Sequence, residues 1–437
     1  MKLIMKAHVQ NVDLLRKEIE ITQKLDHPNI VRLFAVYEDH CSLYLVMELC
    51  EGGELFDRLV EEKYLTEPIV KKVMKQVFSS IAYCHAKDIV HRDLKPENYI
   101  LLSNCKAVDQ TPVKLIDFGL ATRCGDSEQV STAVGTSYYV APEVLKQKYG
   151  KGVDVWSCGV LMYCLHCGSP PFYGNTDIEV LKKVKRGQYS MDGNIWSSVS
   201  ESAKDLIRRC LEMDPTRRLT CMQALKHPWF QVQDSTALLD AKVLGNLRSF
   251  SVANRFQKAA LIAVAYQLTT EEQQELREVF TKLDANGDGY LSFREIKQGL
   301  EGQLNEARLP NLSEILSSMD TNNDGKIEYT EFIAAAMDHR LQRNESVCWR
   351  AFKAFDKDND GKITRSELQE VLKDDELKQE VPSSRSANFY FDAMDADGNG
   401  EVSFEEFMDM LHSSTSPRKA TSANLETLMT SVDSNKT

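Results

Sequence analysis

Apolar residues recur at two different spacings along the first 230 residues of the chain. Residues 43–47 form a short apolar run that ends before the glycine pair at 52 and 53, a pattern typical of a buried strand followed by a turn. Between residues 70 and 84, apolar side chains recur every three or four positions and predict a helix with one buried face. A second helix is predicted over residues 154–167. Strands followed mainly by helices indicate a small part with a sheet and a larger helical part.

Beyond residue 230 the pattern changes three times. Residues 231–268 place apolar side chains at roughly helical spacing, with basic residues among them, and predict a helical linker. Residues 269–412 repeat one unit of sequence four times. Residues 413–437 are rich in Ser, Thr, Asn and Lys without an apolar period, which predicts a disordered tail.

Negative charge is concentrated in the repeated part of the chain. The 437 residues carry a net charge of −12, and residues 269–412 contain 32 acidic and 16 basic residues, a difference of −16 that leaves +4 for the rest. A concentrated acidic segment favours cation binding and argues against nucleic-acid binding. The alternative is a solvated acidic surface, so the spacing of the acids must decide.

Neither a membrane span nor a disulfide framework is expected. No run of about 18 apolar residues occurs in the sequence, so no transmembrane helix is predicted. The 11 cysteines are scattered and odd in number, which favours reduced thiols and a cytoplasmic location.

The candidate chemistry of the first part is concentrated in three motifs. Residues 91–98 read HRDLKPEN, a DFG triplet begins 19 residues after Asn98, and an APE triplet begins 22 residues after the glycine of DFG. Their type, order and spacing resemble the motif set of protein kinases, whose phosphoryl transfer needs a positioned hydroxyl and cations where charge collects. Asp93 would therefore accept the hydroxyl proton, and Lys95 would lie near the transferred phosphate. Asn98 and Asp117 would hold Mg²⁺ against the phosphates of ATP.

This ordered set resembles the motifs of the protein kinase family, and Lys95 within KPEN resembles the serine/threonine members. An ordinary loop carboxylate is the alternative for Asp93, and the offsets of its neighbours argue against it. The resemblance further implies Met47 as gatekeeper, Glu48 and Cys50 in the adenine-facing hinge, Ile100 beneath the adenine, Glu143 paired with Arg218, and Asp154 bracing the catalytic loop. Thr132 lies where many kinases are phosphorylated, and a plain exposed threonine is the alternative.

The resemblance also implies a substrate preference. Glu54 and Glu97 match family carboxylates that bind an arginine three residues before the phosphorylated site. Cys164 stands where another acid often occurs. We therefore expect protein substrates with a basic residue upstream of Ser or Thr, and a modest preference for Arg-x-x-Ser/Thr.

The start of the chain departs from the family pattern. No GxGxxG precedes these motifs, so the small lobe is expected to be incomplete and to lack the amides that cradle phosphates. Lys2 is the candidate strand lysine and Glu18 its helical partner, with a frayed terminal lysine as the alternative. The chain of 437 residues is therefore expected to bind ATP poorly and to phosphorylate slowly. Either it begins inside a longer natural protein, or it is a weak or dead kinase. The first is favoured because the downstream catalytic residues are intact.

Four twelve-residue loops account for the acidic segment. Their starts lie 36, 36 and 39 residues apart. Calcium prefers roughly six to eight hard oxygen ligands, which each loop offers at positions 1, 3, 5, 7 (a backbone carbonyl) and 12, with glycine at position 6. The predicted ligands are Asp284, Asn286, Asp288, Tyr290 and Glu295; Asp320, Asn322, Asp324, Lys326 and Glu331; Asp356, Asp358, Asp360, Lys362 and Glu367; and Asp395, Asp397, Asn399, Glu401 and Glu406. Position 8 should pair across loops in two paired lobes, through Leu291, Ile327, Ile363 and Val402.

The segment between these two parts is a candidate switch. A basic amphipathic helix beside acidic sensors is typical of a sensor's target, and a passive spacer is the alternative. The order of motifs, linker and four EF-hands resembles calcium-dependent protein kinases with a calmodulin-like domain. That resemblance implies that the junction, near residues 248–258, blocks the substrate cleft until calcium loads the hands. Ser251 lies in an Arg-x-x-Ser element and is a candidate pseudosubstrate or autophosphorylation site.

The sequence thus predicts an α+β protein kinase fold followed by an all-α EF-hand domain with two paired lobes. The predicted boundaries are 1–230 for a kinase domain with a truncated small lobe, 231–268 for an autoinhibitory junction helix, 269–340 for hands 1 and 2, 341–412 for hands 3 and 4, and 413–437 for the tail. The predicted function is calcium-activated transfer from ATP to protein Ser/Thr, with Mg²⁺ and four Ca²⁺ as cofactors. A catalytically silent calcium sensor or scaffold is the alternative. We further expect a cytoplasmic monomer with an intramolecular junction–EF-hand contact and no nucleic-acid partner; peripheral membrane association through a lost N-terminus stays open.

Overall fold

The computed structural model describes residues 1–9, 11–62, 65–104, 107–126, 128–132, 134–231, 241–300, 312–371, 391 and 394–412. The predicted disordered tail at 413–437 and part of the predicted junction, at 232–240, lie outside these residues. The chain divides into two compact units. The first consists of Met1–Leu238 and Arg277–Glu301, and the second of Leu239–Leu276 and Gly302–Thr437.

The first unit combines short strands with a larger set of helices. Its elements up to residue 230 are β1 (Lys2–Met5), α1 (Val12–Gln23), β2 (Leu33–Glu38), β3 (Ser42–Met47), α2 (Leu55–Glu62), α3 (Glu67–Ala86), β4 (Ile89–Val90), β5 (Tyr99–Leu101), β6 (Val113–Leu115), β7 (Thr122–Arg123), α4 (Gly152–Cys167), α5 (Asp177–Arg186), α6 (Asn194–Ser197), α7 (Glu201–Cys210) and α8 (Cys221–Leu225). The strand predicted at 43–47 and the helices predicted at 70–84 and 154–167 are confirmed as β3, α3 and α4.

A three-stranded antiparallel sheet forms the smaller part of this unit. Its strand order is β1-β3-β2, and Lys2 lies opposite Leu45 of β3. Helix α1 begins after Asn11, whose side chain accepts hydrogen bonds from the backbone N–H groups of Asp13 and Leu14. Such a cap satisfies backbone donors that have no partner inside the helix. The cap thus fixes where α1 starts beside the sheet.

The larger part is built around α3 and α4. Helix α4 is apolar around most of its circumference and is buried from Val153 to His166, as expected for a helix at the centre of a core. It ends at Gly168, whose φ of 74° is the left-handed conformation that glycine adopts without strain. Helix α3 buries Val77, Phe78 and neighbouring apolar side chains against α4 and α8. In the described part of the chain, no helix is both long and apolar enough to cross a membrane.

A buried ion pair connects the APE motif to the segment before α8. The Nη1 and Nη2 atoms of Arg218 donate to the Glu143 carboxylate over 2.5 and 3.1 Å. Arg218 also donates to the backbone oxygens of Gly152 and Glu212, and its guanidinium lies 5.1 Å from the ring centroid of Trp156. Two charges can be buried together when their remaining hydrogen-bonding groups are also satisfied, as here.

After residue 240, the regular elements in the described residues are helices and two very short strands. Its elements are α9 (Ala241–Val252), α10 (Arg255–Gln267), α11 (Gln274–Leu283), α12 (Phe293–Leu300), α13 (Leu312–Met319), α14 (Tyr329–Ala336), α15 (His339–Gln342), α16 (Glu345–Phe355), β8 (Ile363–Thr364), α17 (Arg365–Val371), β9 (Glu401–Val402) and α18 (Phe404–His412). Strands β8 and β9 pair Ile363 with Val402, the contact predicted between hands 3 and 4. Leu291 and Ile327 are each buried, and their pairing stays a prediction.

The junction consists of two helices, so the prediction of a single junction helix is wrong while its helical character is confirmed. Asn254 separates α9 from α10: its side chain accepts a hydrogen bond from the backbone N–H of Gln257, and its own N–H donates to the Gln257 side chain. This reciprocal capping box starts a new helix. Apolar periodicity alone did not reveal it, since the pattern continues through the break.

Both junction helices bury their apolar side among the helices of the second unit. Helix α9 packs on α13 and α14, and α10 packs on α14, α16 and α18. The ring of Phe256 lies 5.6 Å from Phe355. Polar contacts fix the arrangement, since Asn246 Nδ2 donates to the Ala336 oxygen and Gln257 Nε2 to the Met410 oxygen. The junction is therefore bound by the EF-hand helices in this structure.

The first calcium loop belongs to the first unit, whereas the sequence boundaries grouped hands 1 and 2 at 269–340. The ring of Tyr290, at position 7 of this loop, lies 5.1 Å from the ring of Tyr83 on α3. Gly289 approaches His27 so closely that a Cβ would lie 2.4 Å from the imidazole ring. These contacts explain why residues 277–301 group with the first unit.

Loss of Arg218 should destabilise the first unit. Arg218→Met would leave the Glu143 carboxylate buried without its cation, which costs about 3–5 kcal/mol of unfolding free energy. Urea unfolding monitored by tryptophan fluorescence measures this, because Trp156, Trp196 and Trp229 all lie in the first unit. The double variant Glu143→Met/Arg218→Met should recover part of the loss. If the single and double variants lost the same unfolding free energy, the buried Glu143–Arg218 pair would not be the cause of the destabilisation.

Candidate active site and calcium-binding loops

Asp93 lies in the loop between β4 and β5, and its carboxylate is held from two sides. Lys95 Nζ lies 2.9 Å from Oδ2, and the Thr136 hydroxyl donates to Oδ1 over 2.8 Å. Asn98 Nδ2 donates to the backbone oxygen of Asp93 over 2.7 Å. Burial would raise the pKa of Asp93, but the hydrogen bonds from Lys95 and Thr136 outweigh it and hold the pKa below its ordinary value. The carboxylate is therefore ionised at neutral pH and oriented as a hydrogen-bond acceptor.

Sequence analysis did not identify Thr136 as a site residue. Its Oγ1 donates to Asp93 and lies 3.5 Å from Lys95 Nζ, so one hydroxyl contacts both predicted catalytic side chains. The available signal was its position five residues before the APE motif. That offset has no meaning until the fold brings residues 93 and 136 together.

Asp154 fixes the backbone that carries Asp93. Its carboxylate accepts hydrogen bonds from the backbone N–H groups of His91 and Arg92, both over 2.9 Å, and lies 2.9 Å from His85 Nε2. The side chain is fully buried. Burial would raise the pKa of Asp154, but the bond and charge of His85 outweigh it and keep the pKa low. Arg92 has φ 72°, a conformation that is strained for a side-chain-bearing residue and that these bonds hold in place.

The Arg92 side chain reaches the loop that contains Thr132. Its Nη1 donates to Thr132 Oγ1 over 2.7 Å and to the Tyr149 hydroxyl over 3.3 Å, while Nε donates to the Leu120 oxygen. Thr132 is exposed, so its hydroxyl combines access to solvent with contact to a guanidinium.

Asn98 and Asp117 are brought together by a two-stranded ladder. Strands β5 and β6 pair Tyr99 with Leu115, and the Ile116 N–H donates to the Asn98 oxygen over 2.9 Å. Asn98 therefore precedes one strand at the end where Asp117 follows the other. Asp117 has φ 62°, and its Oδ1 accepts a bond from the Gly119 N–H. Amide and carboxylate oxygens are ligands that Mg²⁺ prefers, so this donor set fits the ion.

Lys2 and Glu18 form an ion pair, with 3.1 Å between Nζ and Oε1. Lys2 is the first residue of β1, so the alternative of a frayed terminus does not apply. A small cavity of about 30 Å³ lies beside the pair. It is lined by Lys2, Glu18, Ile19, Thr22, Val31, Leu33, Leu45, Met47, Asp117 and Phe118. Four predicted site residues, at 2, 18, 47 and 117, thus share one cavity between the sheet and α1.

The predicted hinge after β3 uses its side chains structurally. Glu48 Oε2 accepts a hydrogen bond from the buried Lys114 Nζ over 2.8 Å, so this carboxylate is a counter-ion inside the protein. Hinge contacts to an adenine would therefore come from its backbone. Burial raises the pKa of the Cys50 thiol to about 12, so the thiol is neutral.

The hinge is connected to the strand that carries Ile100. A Cβ on Gly52 would lie 2.6 Å from the Leu101 backbone oxygen, so only glycine fits this approach. One residue later, the Leu101 N–H donates to the Gly53 oxygen, and Glu54 forms a bridge with Ile100. Two of the predicted site residues, Glu54 and Ile100, are therefore neighbours.

The four calcium loops share one folded geometry around their first residue. In each, the Asp at position 1 accepts hydrogen bonds from the backbone N–H groups of positions 5 and 6. These are Asp284 with Asp288 and Gly289 at 3.1 and 2.9 Å, Asp320 with Asp324 and Gly325 at 3.2 and 2.9 Å, Asp356 with Asp360 and Gly361 at 3.1 and 3.1 Å, and Asp395 with Asn399 and Gly400 at 2.9 and 2.8 Å. These bonds orient the position-1 carboxylate and fix the turn at positions 5 and 6.

The glutamate at position 12 closes each loop. Its two oxygens accept from one backbone N–H near the loop start and from the N–H of position 9. The sets are Glu295 with Asn286 and Ser292 at 3.2 and 2.9 Å, Glu331 with Thr321 and Glu328 at 2.8 and 2.8 Å, Glu367 with Lys357 and Thr364 at 2.8 and 2.8 Å, and Glu406 with Ala396 and Ser403 at 2.8 and 2.8 Å. Both ends of each ligand set are therefore in place.

Position 4 of the loops carries a signal that sequence analysis did not use. It is always Gly or Asn, and in the structure it has a left-handed φ in every loop: 73° at Gly287, 57° at Asn323, 61° at Asn359 and 73° at Gly398. These two residue types adopt that conformation most readily. The sequence could therefore have shown two left-handed positions per loop, at 4 and 6.

The donor sets fit calcium by their chemistry. Ligand oxygens of Asp356, Asp358 and Glu367 lie within 4.8 Å of one another, and so do those of Asp395, Asp397 and Glu406. In the first two hands, burial is the main cause that raises the pKa of Asp284 and of Glu331 to about 7. Carboxylates crowded in this way favour a hard cation.

Replacing a position-12 glutamate should remove one calcium site. Glu367→Gln lowers the charge and donor strength at the residue expected to bind with two oxygens, so we expect the calcium affinity of hand 3 to fall at least about tenfold. Calorimetric titration of the whole chain should then show one fewer site. Glu370→Gln, an exposed acid on the same helix, is the matched control. A loss of affinity equal to that of the control would contradict the assignment.

Comparison with known proteins identifies two families along the chain. Residues 1–230 match the family described as protein kinase domain, and residues 273–337 and 345–411 each match the EF-hand domain pair. The chain is 44% identical over 310 residues to calcium-dependent protein kinase 5 of Plasmodium falciparum (isolate 3D7), which covers 70% of this chain and 54% of that relative. It is 40% identical over 353 residues to calcium-dependent protein kinase 5 of Plasmodium berghei (strain Anka), 79% of this chain and 62% of the relative.

A plant relative is covered more fully. Calcium-dependent protein kinase 10 of Arabidopsis thaliana is 38% identical over 413 residues, 94% of this chain and 75% of the relative. The chain spans only 54% of the first Plasmodium relative's length. The resemblance inferred from the motifs is confirmed, and the chain belongs to the protein kinase family and, within it, to the calcium-dependent protein kinases.

Proposed function

We propose that this chain transfers the γ-phosphoryl group of ATP to serine or threonine of proteins, and that calcium in its EF-hands controls the transfer. The observation that carries the proposal is the Asp93 carboxylate, ionised and held between Lys95 and Thr136, in one chain with four complete calcium loops. The relatives' names, calcium-dependent protein kinases, support the same function.

Each catalytic side chain has a separate task. Asp93 accepts the proton of the substrate hydroxyl and orients its oxygen, since Lys95 and Thr136 hold its carboxylate in place. Lys95 adds positive charge beside the transferred group. Asn98 and Asp117 would hold Mg²⁺, which when bound neutralises charge on the phosphates. Lys2, oriented by Glu18, would contact the phosphates from the sheet.

Regulation would depend on where the junction is bound. With its apolar side buried among the hands, the junction is bound to the sensor. We propose that calcium-free hands bind it less well, so that its apolar and basic face occupies the substrate cleft instead. An amphipathic segment supports such an exchange, because its apolar face is costly to expose in either state. Ser251, whose hydroxyl donates to the Arg248 oxygen over 2.7 Å, would then occupy the position of a substrate serine.

Substrate preference would follow from Glu54 and Glu97. Within the described residues, Glu97 Oε2 is buried and has no hydrogen-bond partner, which supports a role in binding a substrate cation. Nearby Cys164 replaces an acid, and burial raises the pKa of its thiol, so it adds no charge. Protein substrates with an arginine three residues before the phosphorylated residue would fit these two carboxylates.

A reducing, cytoplasmic location and a monomeric state complete the proposal. All ten cysteines within the described residues are free thiols, seven of them buried, which supports a reducing compartment. The junction provides the target of the hands within the same chain, so a second copy is not needed for regulation.

Calcium should raise the rate of phosphate incorporation from radiolabelled ATP into a peptide substrate, by at least about tenfold. Asp93→Asn should lower the calcium-stimulated rate by about 10²–10⁴-fold while leaving calcium binding intact, because only the proton acceptor is lost.

A quadruple variant with Gln at 295, 331, 367 and 406 should keep the calcium-free rate of phosphate incorporation and lose its increase with calcium. If wild-type protein binds ATP and calcium by calorimetry yet transfers nothing, it is a silent sensor and the proposal fails.

An arginine-to-alanine change three residues before the substrate serine should lower kcat/KM about tenfold or more, the loss expected for one charge-assisted hydrogen bond. Glu54→Gln should reduce that discrimination between the two peptides. Glu51→Gln, an exposed acid three residues earlier, is the control and should retain it. Equal discrimination by wild type and Glu54→Gln would contradict the role of Glu54 in binding the substrate arginine.

A further inference from the structure

The third calcium hand carries a lysine at its first ligand. Lys353, in the last turn of α16, places Nζ 3.1 Å from Asp356 Oδ2 and 3.4 Å from Asn359 Oδ1. Asp356 is position 1 of the loop, and its side chain is fully buried. The ammonium group therefore bridges positions 1 and 4 of the loop.

This lysine is held in place by its surroundings. Its Nζ lies 5.3 Å from the ring centroid of Trp349, one turn earlier on α16. Trp349 stacks on Phe352 with ring centroids 5.5 Å apart and meets Phe404 edge-on at 4.9 Å. The aromatic face and the Asp356 carboxylate thus bind the ammonium group from two sides.

The cation distinguishes this hand from the others. Three residues before the loop, hand 1 has Thr281 and hand 2 has Ser317, both neutral. Hand 4 has Asp392 at this position, which lies outside the described residues. Within the described part of the chain, no ion pair reaches the first aspartate of hands 1, 2 or 4.

The charges of the calcium ligands indicate how the Lys353 ammonium group affects this site. Positions 1, 3, 5 and 12 carry four carboxylates in hand 3, at Asp356, Asp358, Asp360 and Glu367, and three in each other hand, where one of the positions is Asn. A higher count of carboxylate ligands raises calcium affinity and brings a site towards those that also accept Mg²⁺. One ammonium group beside Asp356 offsets the additional carboxylate.

We propose that Lys353 sets the calcium affinity of the third hand by neutralising Asp356 in the calcium-free loop. Calcium must compete with the lysine for this carboxylate and approaches a site with one positive charge beside it. The lysine thereby lowers the affinity of the hand for calcium and for Mg²⁺, which keeps the hand responsive to a change in calcium. The inference rests on the proposed function only in that the loop binds calcium.

The test is the variant Lys353→Met in the whole chain, which keeps the aliphatic stem over Trp349 and removes the charge. Calcium titration is monitored by calorimetry and by fluorescence, with Trp349 as the reporter because its ring lies 5.3 Å from Lys353 Nζ. We expect the calcium midpoint of hand 3 to shift to about three- to tenfold lower concentration, with a shift in the same direction for Mg²⁺ titrated alone. Lys353→Arg, which keeps the charge, should titrate like wild type.

Two further measurements separate charge from packing. Lys357→Met removes an exposed charge from position 2 of the same loop, and its shift should stay below about twofold because screening by water is stronger there. The difference in the calcium midpoint of hand 3 between wild type and Lys353→Met should become smaller when KCl rises from about 0.05 to 0.5 M. A difference caused by packing would not depend on salt in this way.

Two results would contradict the proposed role of Lys353. Unchanged or weaker calcium binding by Lys353→Met, while wild-type hand 3 binds calcium, overturns the role of the lysine and leaves the proposed function standing. Absence of calcium binding to hand 3 in the wild-type chain overturns both.

Discussion

The Asp154 carboxylate, buried at the centre of the first unit, accepts hydrogen bonds from two consecutive backbone N–H groups of the catalytic loop. It holds Arg92 in a strained conformation and so fixes the direction in which Asp93 leaves the loop. A carboxylate is stable there because His85 and the backbone donors compensate its charge. The active site depends on this compensated negative charge.

The need to compensate buried carboxylates is met differently in the two functional parts of the chain. Within residues 1–230, buried carboxylates have permanent partners, as Glu143 does in Arg218 and Glu48 in Lys114. In the calcium loops, backbone N–H groups orient the carboxylates but leave several acids close together, and burial, with the charge of Asp288 added to it, raises the pKa of Asp284. The first arrangement gives a rigid site, and the second gives a site whose stability depends on a cation from solution.

Much of the candidate site could be predicted because its residues lie at fixed offsets in the sequence. The offsets of HRDLKPEN, DFG and the twelve-residue loops identified Asp93, Asn98, Asp117 and the calcium ligands as candidates, and the structure brings Lys2 and Glu18 together as the sequence predicted. The fold class followed from the same motifs.

The contacts that sequence analysis missed join residues that are distant in the chain or depend on one local cap. Thr136 reaches Asp93 across 43 residues, and Lys114 turns the Glu48 side chain away from the hinge across 66 residues. Asn254 ends one junction helix and starts the next, although the apolar pattern continues through it. Periodicity reports which face is buried but not where a helix is interrupted.

That interruption has a consequence for how the chain could respond to its ion. A single continuous helix would bind to or dissociate from the EF-hands as a whole. Two helices separated at Asn254 can dissociate one after the other. The segment before the joint packs on helices of the second hand, and the segment after it also packs on helices of the third and fourth. The two junction helices therefore have different sets of neighbours, so a change in the fourth hand acts most directly on the helix after Asn254.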